Sequence, residues 1–183
     1  SELYDFKDHP FGVRDDDSMM EMAESVKERG VLVPGLARPR QEGGYEIVAG
    51  HRRKHACELA GLETIPLIVR DMDDDTAIII MVDSNIQRED ILPSEKAKAF
   101  KMKMDALRRQ GERNDLTSRQ VGEKCFSVER VAQDSGDSAR QVHRFMRLNE
   151  LEPDLLGMVD ATEMGFHPEV GLSFPQPEEQ QGW

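Results

Sequence analysis

Met19, Met22, Ala23 and Val26 recur every three to four positions, the spacing that keeps apolar side chains on one face of a helix. The run Asp15-Asp16-Asp17 lies at the positive end of such a helix, with Ser18 as the expected cap and Gly30 as the stop. Leu32 to Arg40 then reads as a turn and short strand, Gly43-Gly44 as a hairpin turn, and Tyr45 to Val48 as the returning strand. Arg52 to Ala60 reads as a helix able to turn Ala56, Leu59 and Ala60 toward a core. The apolar run within Thr64–Arg70 predicts a third strand buried on both faces. Asp73-Asp74-Asp75 opens a helix through Ala77, Ile78, Ile79, Ile80, Met81 and Val82. The first eleven residues show no period and are expected to be irregular.

The pattern then becomes purely helical. Pro93 suits the first turn of a long helix from about Ser94 to Gln110, where Ala97, Phe100, Met104 and Leu107 form the apolar stripe, and the polar stretch Gly111–Asp115 is the expected break. Thr117-x-x-Gln120 predicts a capping box for a helix ending near Cys125, and Ser127 opens another through Val128, Val131 and Ala132 to Gly136. Ser138-x-x-Gln141 is a second capping box, for a helix to Leu148 with Ala139, Val142 and Met146 inward. Two short helices joined at a glycine read as a helix-turn-helix, at about 127–148. Pro153 to Val159 suits one more short helix. The chain is thus expected to hold a small α/β (α+β) domain over 1–91, an all-α domain over 92–165, and an irregular tail over 166–183.

Charge modifies this picture by its placement. The formal net charge is −12, which by itself disfavours nucleic acid. Yet after Arg147 there are eight acidic residues and no lysine or arginine, and the first twenty-eight residues are acidic as well, so the middle is near neutral. The helix predicted after Ser138 carries Arg140, Gln141, His143, Arg144 and Arg147 without one acidic residue. Arg140, Arg144 and Arg147, at i, i+4 and i+7, share one side, the expected face of a recognition helix against DNA phosphates and base edges. A helical bundle with a basic exposed face fits the same pattern. No apolar run is long enough to span a membrane, no export leader is evident, and Cys57 and Cys125 fit buried thiols of a reducing cytosol.

Candidate chemistry concentrates at Ala49-Gly50-His51-Arg52-Arg53. Gly50 falls at a strand-to-helix turn. Glycine lets a ligand approach the backbone, the helix start presents free N–H groups, and two guanidiniums add paired donors. These features suit a phosphate chain; a tight turn with two solvated arginines suits them equally. Ser84-Asn85-Ile86-Gln87-Arg88 supplies a second polar cluster after an apolar helix.

Gly50-His51-Arg52-Arg53 followed by Asn85-Ile86-Gln87-Arg88-Glu89 resembles the N-terminal domain of the ParB family, and the resemblance extends from about His9 to Asp160. Members of that family partition chromosomes and plasmids and bind CTP through glycine-glutamate-arginine-arginine and glutamate-asparagine-x-x-arginine motifs. Pro10, Phe11 and Arg14 match a further element of the family. The resemblance implies a ParB/sulfiredoxin-like first domain in which Gly50, His51, Arg52, Arg53, Asn85 and Arg88 hold the nucleotide phosphates. Leu36 and Arg38 would line the base, and Ser84 and Asn85 would face Mg²⁺. Ser138, Arg140, Gln141, His143, Arg144 and Arg147 would contact DNA. It further implies a palindromic duplex site, a partition ATPase as partner, self-association through the nucleotide-binding domain, and a place on the bacterial nucleoid in the cytoplasm.

Three departures bear on mechanism. His51 and Ser84 stand where the two motifs have glutamate, and no stretch matches the family's C-terminal dimerisation domain, so a truncated or naturally short chain is expected. A neutral imidazole can orient a neighbour and a protonated one favours phosphate. A hydroxyl is a weaker Mg²⁺ ligand than a carboxylate, so nucleotide binding with slow or absent CTP hydrolysis is expected. Two other classes compete. A sulfiredoxin-like enzyme needs a cysteine where Gly50 stands, and Cys57 lies two helical turns away. A nucleotide-independent transcriptional regulator needs the helix-turn-helix but not Arg52, Arg53, Asn85 and Arg88.

Overall fold

The structure, a computed structural model, describes residues 2–88, 90–115 and 123–161. They divide into two compact units, one ending at Met81 and the next beginning at Val82, whereas the sequence pattern changes near 91/92. In the first unit the order is β1 (Leu3–Asp5), α1 (Asp17–Arg29), β2 (Gly35–Pro39), β3 (Tyr45–Ala49), α2 (His51–Leu59), β4 (Leu67–Val69) and the start of α3 (Asp74–Asn85). The strands form one sheet in the order β1-β3-β2-β4. β2 and β3 are the antiparallel hairpin expected around Gly43-Gly44, and β1 and β4 join its two sides in parallel.

Ala37, Ile47 and Val48 are fully buried in the two central strands. Met19, Ala23 and Val26 of α1 pack against Ala56 and Cys57 of α2, so the methionine stripe is core. Several expectations need correction. β1 forms in the stretch expected to be irregular; a three-residue strand has no readable period and exists by pairing Leu3 to Asp5 with Tyr45 to Ile47. Asp16 rather than Ser18 caps α1, its carboxylate accepting from the Met19 N–H at 2.8 Å. β4 is an edge strand, not one buried on both faces, and leaves Ile68 and Val69 half exposed.

The second unit contains α4 (Pro93–Asp115), α5 (Glu123–Ser135), α6 (Ala139–Arg147), a 3-10 turn (Leu148–Glu150) and α7 (Pro153–Asp160). Ala97, Leu148, Leu151, Leu155 and Val159 form a core, with Phe145 packed against it. Asp160 of α7 caps α4, accepting from the Ser94 N–H at 3.0 Å and from its hydroxyl at 2.5 Å. α4 runs through the expected break, because one helical glycine costs only about 1 kcal/mol against alanine, and Gly111 interrupts neither the period nor the hydrogen bonding of a 23-residue helix. One helix replaces the two expected to meet near Cys125 and Ser127: neither glycine nor proline occurs between Glu123 and Ser135. The Thr117–Gln120 capping box and the tail beyond 161 lie outside the described residues.

Candidate functional site

In the first unit, β3 hands over to α2 at Gly50, whose φ of 111° is left-handed. A Cβ here would lie 3.1 Å from the Gly35 Cα, and one on Gly35 would lie 2.7 Å from Leu67 and 3.0 Å from the Ala49 carbonyl. The two glycines therefore let the start of β2 meet the start of α2 backbone to backbone. Arg52 reaches toward α1, donating to the Ser18 hydroxyl at 2.8 Å with Asp16 4.0 Å away. Arg53 folds back over its own turn: Nη1 donates to the carbonyls of Val33 at 2.6 Å and Pro34 at 2.7 Å. Both arginines thus start from the same helix turn as Gly50, Arg52 directed to α1 and Arg53 to the loop before β2.

His51 sits in a different environment from the two arginines. It is buried, lies against His9 with ring centroids 3.8 Å apart and the planes inclined by 41°, and neither ring nitrogen has a hydrogen-bond partner. Burial, and then the nearby His9, push its pKa down to about 3, although Asp5 opposes the shift. A neutral, enclosed imidazole brings no positive charge to an anion. The next turns of α2 hold the N-terminal segment: Lys54 meets Asp5 at 2.7 Å and His55 meets Asp15 at 2.6 Å. The Asp15 contact raises the His55 pKa. His9, Phe11, His51, Lys54 and Glu58 line a cavity of about 330 Å³ between this segment and α2.

Leu36 and Arg38 lie on one face of β2, opposite the buried Ala37. Leu36 pairs with Ala49, directly before Gly50, which places it beside the helix start. Arg38 is engaged otherwise: it is in register with Glu46, bonds its carboxylate at 2.7 Å, and meets Asp74 at 2.6 Å. Its guanidinium braces the hairpin to the start of α3. Cys57 is buried in the α1–α2 core with its thiol pKa raised by burial, which disfavours its thiolate.

Ser84, Asn85 and Arg88 belong to the second unit. The Asn85 amide donates to the Ser84 hydroxyl at 3.3 Å, and Arg88 forks onto Asp90 at 3.0 and 2.6 Å. The adjacent Asp83 carboxylate is held by the buried Lys103 ammonium, which also bonds Asp134 at 2.6 Å. Ser84 and Asn85 offer only neutral oxygens, a poor set for Mg²⁺ on their own.

α6 carries the predicted basic face. Ser138 and Gln141 form the capping box: the Ser138 hydroxyl accepts from the Gln141 N–H, and the Gln141 side chain accepts from the Ser138 N–H at 3.2 Å. Both side chains thereby serve the helix start. Val142 is fully buried, Arg140 and His143 are exposed, and Arg144 is partly so. Arg147 pairs with Glu150 at 2.8 Å. Gly136, with φ of 75°, makes the turn from α5 into α6. α5 and α6 are thus two helices joined at a glycine turn. Sequence reasoning missed the His9–His51 contact, the Arg38–Glu46 pair and the burial of Lys103. Of these only Arg38–Glu46 had a signal, because a Gly43-Gly44 hairpin sets those residues opposite.

Residues 1–86 match the family described as the ParB N-terminal domain. The probable chromosome 1-partitioning protein ParB of Deinococcus radiodurans is 36% identical over 95% of this chain and 54% of its own length. The chromosome-partitioning protein Spo0J of Thermus thermophilus is 33% identical over 90% of this chain and 54% of its own. The chain thus spans about half the length of the curated relatives it matches. Among solved structures, the C-terminally truncated ParB of Caulobacter crescentus complexed to the centromeric parS site is 26% identical, covers 98% of this chain and 93% of that one, and has a TM-score of 0.59. A Pnob8-like ParB-N domain, 14% identical over 94% of this chain and 76% of its own, has a TM-score of 0.62 and shares the fold. Residues 1–86 thus belong to the ParB N-terminal domain family, and a helical unit follows them.

Proposed function

We propose that this chain is a sequence-specific DNA-binding protein of chromosome, plasmid or mobile-element partition, and that its α/β unit binds CTP. The observation that carries the DNA reading is α6: a capped helix with Val142 inward, Arg140, His143 and Arg144 outward, and no acidic residue. The relative complexed to parS supports the same reading. Arg140 and Arg144 are one helical turn apart, so both can enter a major groove, where a forked guanidinium suits guanine. His143 adds a donor and acceptor. Arg147, tied to Glu150, serves phosphate contact, and Ser138 and Gln141 hold the N-terminus of the helix in place.

The nucleotide reading rests on the Gly50 turn, Arg52 and Arg53, and on the family motifs they match. Arg52, Arg53, Asn85 and Arg88 supply donors to phosphate oxygens, and Gly50 lets the phosphates approach the backbone. His51, buried and neutral, adds no positive charge to that set and at most one N–H donor. With neutral oxygens at Ser84 and Asn85, any Mg²⁺ would be held mainly by the phosphates, and hydrolysis would be slow or absent. Self-association of the α/β unit and engagement of a partition ATPase belong to the same family reading.

The DNA reading is tested by selecting a site from a random duplex library with the wild-type chain, then measuring Arg140→Ala and Arg144→Ala on it. A residue that reads a base edge costs about 1–3 kcal/mol on the selected site and relaxes one position. A residue that touches only phosphate weakens all sequences alike and shrinks the salt slope. Undiminished, equally selective binding by both variants removes α6 as the recognition helix.

A further inference from the structure

We infer that Arg53 is a positioning residue that couples the phosphate site to the loop and strand leading to the base, so that phosphate binding at α2 stiffens residues 32–36. The inference rests on the nucleotide reading above and adds to it a mechanical link. The guanidinium has five N–H donors in one plane. Both protons of Nη1 are committed, one to the Val33 carbonyl at 2.6 Å and one to the Pro34 carbonyl at 2.7 Å. Nη2 turns the other way and lies 3.5 Å from the position a Gly50 Cβ would occupy, as does Cζ. One rigid plane therefore grips the loop with one edge and leans over the glycine turn, where the phosphates are proposed, with another.

The loop it grips gains little from packing. Leu32 is 75% and Val33 64% exposed, the largest exposures among the apolar side chains described. The nearest backbone anchor is the Gly35 N–H, which donates to the Pro66 carbonyl at 3.0 Å at the head of β2. Close approach of Gly35 to Gly50 leaves no side chain between loop and helix start, so Arg53 is the side chain that joins them. A segment with few buried apolar contacts opens at low free energy, so one added restraint is a large share of its stability. Phosphate oxygens bonded to Nη2 and Nε would fix the guanidinium plane, and the fixed plane would hold Val33 and Pro34 and, through them, Gly35 and Leu36.

Lysine separates charge from coupling. Its ammonium is a point charge on a flexible stem and cannot present two opposed edges at once. Arg53→Lys keeps the charge but loses the fork, so it is expected to bind inorganic tripolyphosphate more weakly and to lose the link to the loop, which is read at saturating tripolyphosphate. The test combines calorimetry with hydrogen exchange of the 31–36 segment, using the full chain alone, with tripolyphosphate and with CTP. In the ligand-free state Arg53→Gln should exchange at least about tenfold faster than wild type there, since it loses two charge-assisted hydrogen bonds, each of which is worth that order by itself. In wild type, tripolyphosphate alone should slow that exchange; in Arg53→Lys it should bind without slowing it.

The outcomes separate the coupling from the reading beneath it. If neither tripolyphosphate nor CTP binds wild type, the nucleotide site falls and the coupling with it. If tripolyphosphate binds and the segment exchanges unchanged, or slows equally in Arg53→Lys, the site stands and the coupling is overturned. Slowing by CTP but not by tripolyphosphate also overturns it, since the restraint then comes from the base. Equal ligand-free exchange in wild type and Arg53→Gln removes the grip itself.

Discussion

At the scale of single residues, His51 and His55 sit one turn apart on α2 and respond to acid in opposite senses. An unfolded histidine takes up a proton below about pH 6.5, but His51 in the fold does so only near pH 3. Between those values the unfolded chain binds more protons, so stability falls as the pH drops, by at most about 1.4 kcal/mol per pH unit. His55 is the reverse. Its pKa is raised in the fold by Asp15, so its contribution is complete at low pH and is lost as the pH rises through the folded value. Urea midpoints measured at pH 5, 6 and 8 are expected to separate them. His51→Gln should flatten the acid loss, while His55→Gln should lower stability more at pH 5 than at pH 8. A wild-type midpoint lower at pH 8 than at pH 5, unaffected by His51→Gln, would mean that the ring is not held neutral.

At the scale of elements, the β3–α2 turn and the α4 core each predict a substitution cost. Gly50→Ala combines a left-handed φ with a 3.1 Å approach to Gly35, whereas a Cβ on Gly43, at φ of 90°, meets nothing within 4 Å. Gly43→Ala should cost backbone strain alone, about 1 kcal/mol, and Gly50→Ala up to about 3 kcal/mol; equal melting temperatures for the two would refute the close approach. In the helical unit, Lys103 is 2% exposed between Asp83 and Asp134, which are 40% and 38% exposed. Neutralising both aspartates strands a buried ammonium and should cost about 3–5 kcal/mol, whereas Lys103→Met leaves carboxylates that water can reach and should cost less. Thermal unfolding of Asp83→Asn/Asp134→Asn beside Lys103→Met checks the order. Elements with a strong local signal were legible in sequence: α1, the β2–β3 hairpin and α6 with its capping box; α2 was placed by the Gly50 turn, although Leu59, expected inward, is exposed. β1, the edge position of β4 and the passage of α4 through Gly111 were not, because each depends on pairing or packing with distant residues. The same division runs through the site. The Gly50 turn and the basic face of α6 are local features and were readable, while the burial of His51 needed the N-terminal segment laid across α2.

At the scale of the whole molecule, a net charge of −12 coexists with a helix free of acidic residues, so local placement rather than total charge decides what the protein can bind. Among the described residues no helix is long and apolar enough to cross a membrane. The central claim is that one chain combines a cytidine-nucleotide site at the α2 start with a DNA-reading helix. The measurement that tests it most directly is calorimetry of the full chain with CTP, ATP, GTP and UTP, in the presence of Mg²⁺ and the selected duplex. The account predicts a saturable heat with CTP, little or none with the other three, and its loss in Arg53→Ala. No heat with CTP under these conditions, or equal heats with all four nucleotides, would contradict it.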